Sequence, residues 1–438
     1  MRDWSPEHVA EAAGVQLARP AAIAPEGGPG PARVTIDSRD VRPGDLFVGL
    51  AGRNVDGGRY AAAALAAGAW GVLVAPQWTA GDAREQPGVL LTSEDPLAGL
   101  QSLARSWRRA LGAQVIAITG STGKTSTKDL LTAMLAQERR VAATEQNLNT
   151  EIGLPLTILA APAGAEVLVL EMAMRGPGQI AELTAIAEPD VGVIVNVGPV
   201  HLELLGSLEA IATAKAELLA DLRPGATAVV PAAEPLLAAH LRDDLHTVTF
   251  GPGGDVAELP GELELPFTSE HMRWNALAAL AAARALGAQP RGRLDVRLSA
   301  MRGQRIELPG PVLVIDDCYN ANPMSMRAAL DDLAATASGR RVAVLGEMLE
   351  LGPQEQRFHG EIGDYATRSG IDVLVTVGPL AAAMAGSFRG ILYVTMDAAA
   401  ATEVVRDIVA PGDTVLVKGS RGVGLEIVTQ GLRDAAGE

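Results

Sequence analysis

"VIAITGSTGKTSTKDLL", residues 115–131, decides how this chain is read. Five β-branched or small residues, "VIAIT", run into a glycine turn, and "KTSTKDLLTAMLAQ" follows with helical spacing. Strand, glycine turn and helix in that order make a phosphate cradle. Amides of the loop and of the helix start take phosphate oxygens, the lysine reaches the outer phosphates, and the next hydroxyl ligates Mg²⁺. The common loop, G-x-x-x-x-G-K-[ST], keeps four residues between its glycines. Here only Ser121 and Thr122 separate Gly120 from Gly123-Lys124-Thr125, with Ser126 continuing the turn. A plain glycine turn with a surface lysine would lack the flanking strand and helix.

Outward from the loop, uncharged apolar runs recur between helix-like stretches. "EVLVLEM" (166–172), "VGVIVNV" (191–197), "ATAVVP" (226–231), "PVLVIDD" (311–317), "RVAVLG" (341–346), "DVLVTVG" (372–378), "ILYVT" (391–395) and "DTVLVKGS" (413–420) join "VIAIT" as expected buried strands. Runs without polar alternation, spaced by helices, indicate parallel sheets covered on both faces. Before residue 110 the pattern loosens, with strands in "VTIDSR" and "LFVGL" and a loop in "PAAIAPEGGPGPA" (20–32). The expected fold is α/β in three domains: an N-terminal α/β domain (1–110), a central P-loop domain with a mostly parallel sheet (111–308) and a C-terminal Rossmann-like domain (309–438). At roughly 100–200 residues per domain, 438 residues accommodate them.

Three residues join the loop as chemistry-bearing. Glu171 ends an apolar strand where a carboxylate holds a nucleotide's metal, although a strand-end glutamate can equally be solvated. His201 follows the next strand, at the sheet edge where ligands of α/β proteins sit, although a histidine there is often structural. Lys215 lies in "IATAKAELLADL", a helix lysine on an alanine-rich face, a position more often occupied by an ordinary solvated charge.

Bulk properties exclude several classes. A net charge of −16 without a basic block argues against duplex nucleic-acid binding. The single cysteine, Cys318, rules out an intramolecular disulfide and fits a reducing compartment; beside Asp317 it reads as a small buried residue. The start, "MRDWSPEHVAEAAG", carries acidic residues and is not a signal peptide. "YAAAALAAGAWGVLVAP" (60–76) breaks into a helix and a strand and falls short of the ~20 apolar residues of a membrane span. A soluble, cytoplasmic chain is expected, with a monomer as the default.

The set T-G-S-T-G-K-T, "NLNTEIGLP", "EMAMRGPGQI", "NVGPVHLE" and "AKAE" resembles the Mur ligase family, ATP-dependent ligases of peptidoglycan precursors, whose hallmark is the shortened loop. "DSRDVRPGDLFVGLAGRNVDGGRYAAAALAAGA" (37–69) is like that family's uridine-nucleotide-binding domain. "DDCYNANPMSMRAAL", "LGEMLELG" and "VLVKGSRGVGLE" are similar to the branch that adds a dipeptide, and the stretches typical of the branch adding a single third amino acid are missing.

The resemblance implies ATP-driven joining of D-alanyl-D-alanine to a UDP-N-acetylmuramoyl-tripeptide through an acyl phosphate. It implies Mg²⁺, two ions, on Thr125, Glu171, His201 and Lys215, the lysine carrying a CO₂-derived carbamate. Lys124 would hold phosphates, Asn275 the adenine, Arg305 the phosphates from the interdomain hinge, and Asp317 the ribose, with Tyr319, Asn320 and Asn322 lining the same cleft. Lys418, Ser420 and Arg421 would take the dipeptide's carboxylate, Asp37, Ser38 and Arg39 the uridine diphosphate, and Asn149 and Thr150 the muramoyl peptide. His359 reads as structural or as a neighbour of the cleft. Three features depart from the family pattern: Asp56-Gly57-Gly58 where it shows D-G-H, Thr150 where a second Asn is common, and a smaller-sided "GSRGVGLE".

Other functions weighed on the residues are the sister ligase for a single amino acid, a folylpolyglutamate synthase-like ligase needing a pteridine site, a P-loop switch ATPase, which would not need Lys215, and a catalytically dead binding module, against which stand Lys124, Thr125, Glu171, His201 and Lys215 together.

Overall fold

The computed structural model describes residues 1–19, 29–267 and 269–437. The loop expected at 20–32 lies mostly outside the described residues. Three α/β units follow one another along the chain.

The first sheet contains β1 (Gln16–Arg19), β2 (Arg33–Thr35), β3 (Asp45–Val48), β4 (Gly71–Val74) and β5 (Val89–Thr92), in the order β1-β5-β4-β3-β2. Only β1 runs antiparallel, paired Gln16 to Thr92. "YAAAALAAGAWGVLVAP" divides as expected into the helix Ala61–Ala66 and β4. The helix Pro96–Leu111 follows, its first turn capped by Asp95, whose Oδ1 accepts from the Leu97 and Ala98 amides.

The central sheet contains β6 (Gln114–Thr119), β7 (Val141–Ala143), β8 (Val167–Glu171), β9 (Val191–Ile194), β10 (Thr227–Pro231) and β11 (His246–Phe250). All are parallel, in the order β11-β10-β9-β6-β8-β7. Because β6 sits between β8 and β9, the chain segments leaving these three strands emerge side by side. That is the topological switch point at which open α/β sheets bind ligands. The helices Lys124–Leu135 and Glu270–Ala285 pack against each other over this sheet. The second buries Ala276, Ala278, Ala279, Ala281, Ala282 and Ala283. Methyl-sized side chains let its backbone come close to the phosphate loop.

A short parallel pair, β12 (Leu263–Glu264) and β13 (Gly292–Arg293), leads to the third sheet. This contains β14 (Gln304–Leu308), β15 (Val312–Asp316), β16 (Arg341–Gly346), β17 (Val373–Val377), β18 (Ile391–Thr395) and β19 (Thr414–Lys418), in the order β14-β15-β19-β16-β17-β18. The nine runs expected as buried strands are strands β6, β8, β9, β10 and β15 to β19, but β18 is not buried: at the edge of its sheet it exposes Ile391, Leu392 and Val394. The sequence placed residues up to 308 with the central domain, but β14 pairs antiparallel with β15 from Gln304–Asp316 to Leu308–Val312. A tight turn at Pro309 and Gly310 makes this a hairpin, so the third unit begins before residue 304.

The cores are not equally divided. One hydrophobic cluster joins Leu73, Leu100, Leu103 and Trp107 of the first unit to Val115, Leu168 and Met172 of the central one. The third unit has two clusters of its own, touched from the central unit by Leu202.

Candidate active site

Everything converges on the loop after β6. Gly123 has φ +76°, and a Cβ there would sit 2.3 Å from Asn275 Oδ1, so both backbone and space demand glycine. The helix begins at Lys124 with no side chain capping its first turn, leaving its leading amides open. Lys124 Nζ donates to the Gly120 carbonyl at 2.8 Å. Burial lowers its pKa, Glu171 opposes that shift and Arg302 adds to it.

Glu171 ends β8 nearly buried, at 2% exposure. Its Oε2 accepts from Thr125 Oγ1 at 2.8 Å, and its Oε1 from Asn149 Nδ2 at 2.8 Å. Thr125 and Glu171 therefore present two hard oxygen donors at the foot of the phosphate loop. Among the described residues no three His, Cys, Asp or Glu side chains form a ready-made cage. A cation here would complete its shell from phosphate and water, the habit of Mg²⁺, so the donor set fits that ion.

Lys215 lies on the helix Leu208–Ala220 at 2% exposure, with neighbours Ile211, Ala212, Ala214, Ala216, Leu218 and Leu219 also buried. Burial first and the Lys124 charge second push its pKa well below the ordinary lysine value. A neutral buried amine is the form that adds to CO₂, so Lys215 fits a carbamate as well.

His201, the residue before the short helix Leu202–Leu205, has φ +53°. Its Nδ1 meets the carboxylate of Glu350, which itself has φ +62° and belongs to the third unit. Glu350 also lies 3.8 Å from Arg175, and its carboxyl is held below its usual range chiefly by His201. Two strained non-glycine residues thus meet across the domain boundary, a placement typical of functional sites.

A cleft of about 1020 Å³ opens over the loop. Ser121 to Ser126, Asn149, Thr150, Glu171, His201, Asn275, Asp317, Tyr319, Asn320, Asn322 and Lys418 all line it. Several expected residues stand differently. Asn275 lies against Gly123, at the phosphate end. Asp317 and Lys418 are each other's partners, Nζ to Oδ2 at 2.6 Å, and Lys418 also donates to the Asn320 carbonyl at 3.0 Å. Arg305 is not itself in the lining but sits at the cleft margin, where it donates to Asp332, a lining residue, and to Thr336. Arg302 lines the cleft in its place, stacked over the Tyr319 ring at 4.0 Å.

Ser420 is buried and accepts from the Leu349 amide at 3.0 Å, while Arg421 points to Glu426 and the Met301 sulfur, so neither joins Lys418 in the cleft. His359 is fully buried. Its Nε2 accepts from the Met348 amide at 2.9 Å and its Nδ1 faces the Glu355 carbonyl at 2.7 Å, which pins the loop carrying Glu350. Asp37 and Arg39 pair with each other at the surface of the first unit, and with Ser38 they lie outside the cleft. Gly58 packs under Trp78, where a Cβ would meet the indole at 2.2 Å, and the indole Nε1 donates to Asp56. The space a larger residue at 58 would need belongs to that ring. Cys318 is buried on Asp316, its thiol pKa raised by burial.

Among the cleft residues missed in the sequence are Arg53 from the first unit, Asn196, His271 and Arg302. Asn196 stood within "NVGPVHLE" and was legible as a polar residue at the end of a buried strand; the others carried no local signal.

A parallel sheet with a shortened phosphate loop, flanked by two further α/β units that reach the same cleft, defines an ATP-using ligase. Three family models match the chain: the Mur ligase family catalytic domain at residues 32–81, the Mur ligase middle domain at 118–283 and the Mur ligase glutamate ligase domain at 301–421. The chain is 38% identical over 418 residues to the UDP-N-acetylmuramoyl-tripeptide–D-alanyl-D-alanine ligase of Synechocystis, with 91% of each covered. It superposes on MurF from Acinetobacter baumannii with a TM-score of 0.86 at 28% identity, covering 98% of this chain and 99% of that one. With MurF from Thermotoga maritima in complex with ADP the TM-score is 0.82 at 31% identity, covering 92% and 98%. This chain belongs to the Mur ligase family.

Proposed function

We propose that this chain joins D-alanyl-D-alanine to the terminal carboxylate of UDP-N-acetylmuramoyl-tripeptide, converting ATP to ADP and phosphate. The observation that carries the reading is the single cleft in which Lys124, Thr125 and Glu171 of the central unit face Lys418 of the third and Arg53 of the first. One unit is available for the uridine nucleotide, one for ATP and one for the incoming amine.

A carboxylate and an amine do not condense at neutral pH, because oxide is a poor leaving group. In the proposed reaction the tripeptide's terminal carboxylate oxygen attacks the γ-phosphorus, the bond to ADP breaks, and an acyl phosphate results. The amine of the dipeptide then attacks the acyl carbon, and phosphate leaves from the tetrahedral intermediate as the amine loses its proton. Lys124 and the open amides at the helix start act by position and charge on the transferring group. Mg²⁺ held by Thr125 and Glu171 would neutralise phosphate charge. The Lys215 amine, whose burial disfavours the charged form, would add to CO₂ with loss of a proton, giving a carbamate that supplies a further anionic oxygen near Lys124. Asp37, Ser38 and Arg39 remain our candidates for the uridine diphosphate, and Asn149 and Thr150 for the muramoyl peptide.

The test is phosphate release from ATP with the two substrates added singly and together. Release only with both, and a product heavier by one dipeptide, is expected. Release with a single amino acid instead would move the chain to the sister activity, and release with neither would make it a switch ATPase.

A further inference from the structure

The shortened loop raises a physical question: what shapes a phosphate cradle that lacks two residues? Its answer lies on the neighbouring strand. Asn196, just past β9, turns its carboxamide onto the loop. Oδ1 accepts from the Ser121 amide at 3.0 Å and the Thr122 amide at 2.9 Å. Nδ2 donates to the Thr122 carbonyl at 3.2 Å and to Thr122 Oγ1 at 3.0 Å. The Asn196 carbonyl also accepts from Ser121 N, at 3.2 Å. Two residues past Asn196, the Gly198 carbonyl accepts from Ser121 Oγ at 3.0 Å and the Gly198 amide donates to that Oγ at 2.8 Å. Gly120 fits beside Val195 with little to spare, since a Cβ there would come within 3.1 Å of the valine's own Cβ.

The consequence is a division of labour among amides. Those of Ser121 and Thr122 are occupied by Asn196. The amides leading the helix from Lys124 have no side-chain cap, and Lys124, Thr125 and Ser126 line the cleft. Resting on the nucleotide-binding reading above, we propose that Asn196 is a positioning residue. Its carboxamide replaces the arc that the short loop lacks and holds Gly123 to Ser126 in the one register that accepts the outer phosphates of a nucleoside di- or triphosphate. It touches the loop and not the nucleotide. An apolar side chain of similar size could fill the space but would leave the Thr122 amide unpaired, the Ser121 amide with only the main-chain carbonyl of residue 196, and the loop free to change register.

The experiment titrates the full-length chain with ADP and with adenosine, in Mg²⁺ buffer, for wild type, Asn196→Ala and Asn196→Asp. Wild type binding ADP more tightly than adenosine establishes the nucleotide reading, and no ADP binding by wild type overturns that reading and this one together. Asn196→Ala is expected to weaken ADP by about 10- to 100-fold, the scale of two or three lost hydrogen bonds, and to leave adenosine unchanged. Asn196→Asp keeps the shape and the acceptor but sets an oxygen against the Thr122 carbonyl, and is expected to weaken ADP while sparing adenosine. It decides the matter should the alanine variant not fold. In the ligation assay KM for ATP rises in both variants and KM for the dipeptide stays, a split that general loosening of the fold would not give. ADP affinity within twofold of wild type overturns the proposal, as does tighter binding, which would make Asn196 a blocker of the phosphate amides.

Discussion

Lys215 shows how much one buried side chain can demand. Its pKa is depressed because burial penalises the charged form. In the unfolded chain the amine returns to an ordinary value of about 10.4. Between the folded and unfolded values, unfolding takes up a proton, so this group opposes folding below about pH 10.4 and the penalty eases only as pH rises towards that value. Carbamate formation removes the neutral amine and with it the penalty. Two outcomes follow. In CO₂-free buffer at pH 7, Lys215→Met is expected to unfold at a higher temperature than wild type by scanning calorimetry, and to be inactive. Added bicarbonate is expected to raise the wild-type transition and its activity, and to leave the variant unmoved. Equal transitions with and without bicarbonate would remove the carbamate.

Glu171 carries a second residue-scale prediction. Glu171→Gln can still accept from Thr125 but loses the negative charge a cation needs. Ligation is expected to fall by about 100-fold, with partial recovery as Mg²⁺ is raised. Lys124, Thr125 and Glu171 were legible in the sequence because strand, loop and helix are consecutive. Arg302, Arg53 and the partner of His201 were not, since each depends on how separate units meet.

At the scale of elements, the loop-to-helix joint is the most constrained feature. Gly123→Ala would place an L side chain at φ +76° and drive its Cβ towards Asn275. The backbone strain alone is about 1–2 kcal/mol. Because the strained joint is the phosphate site, ADP affinity is expected to fall by more than tenfold in calorimetric titration, together with a modest loss of thermal stability. Asn275→Ala added to Gly123→Ala should relieve the contact but not the backbone, giving partial recovery at most. Full recovery would show that space alone matters.

The parallel strands were readable for the same reason this joint is. Strands buried on both faces, such as "VLVLE" and "TVLVK", leave an unbroken apolar run. Edge strands with polar or alternating residues leave none. β11, "HTVTF", exposes His246 and Thr247, and β14, "QRIEL", alternates, so neither stood out, and the third unit's first strand was assigned to the wrong side of the boundary.

On the scale of the molecule, the distribution of core decides what moves. The first and central units share one apolar cluster through Leu73, Leu100, Trp107, Leu168 and Met172. Separating them would expose that surface, so they travel as one body. The third unit keeps its own two cores and meets the central one through Leu202, the His201–Glu350 pair and the Arg175–Glu350 pair. Half-exposed ion pairs hold weakly. A reaction whose acyl phosphate is lost to water needs the cleft closed before the amine arrives. The expected motion is therefore the third unit swinging against the other two once nucleotide and muramoyl peptide are bound. Cysteines introduced at exposed positions can carry spin labels, because the native Cys318 is buried and its thiol is raised above its ordinary pKa. Label pairs spanning the central and third units should shorten on adding both ligands, and the radius of gyration from solution scattering should fall with them, while pairs spanning the first and central units stay fixed. A change confined to the first–central distance would place the hinge elsewhere. No change in either pair would mean that the cleft is already in its working shape, and that the His201–Glu350 contact belongs to the reactive arrangement and not to a latch released on binding.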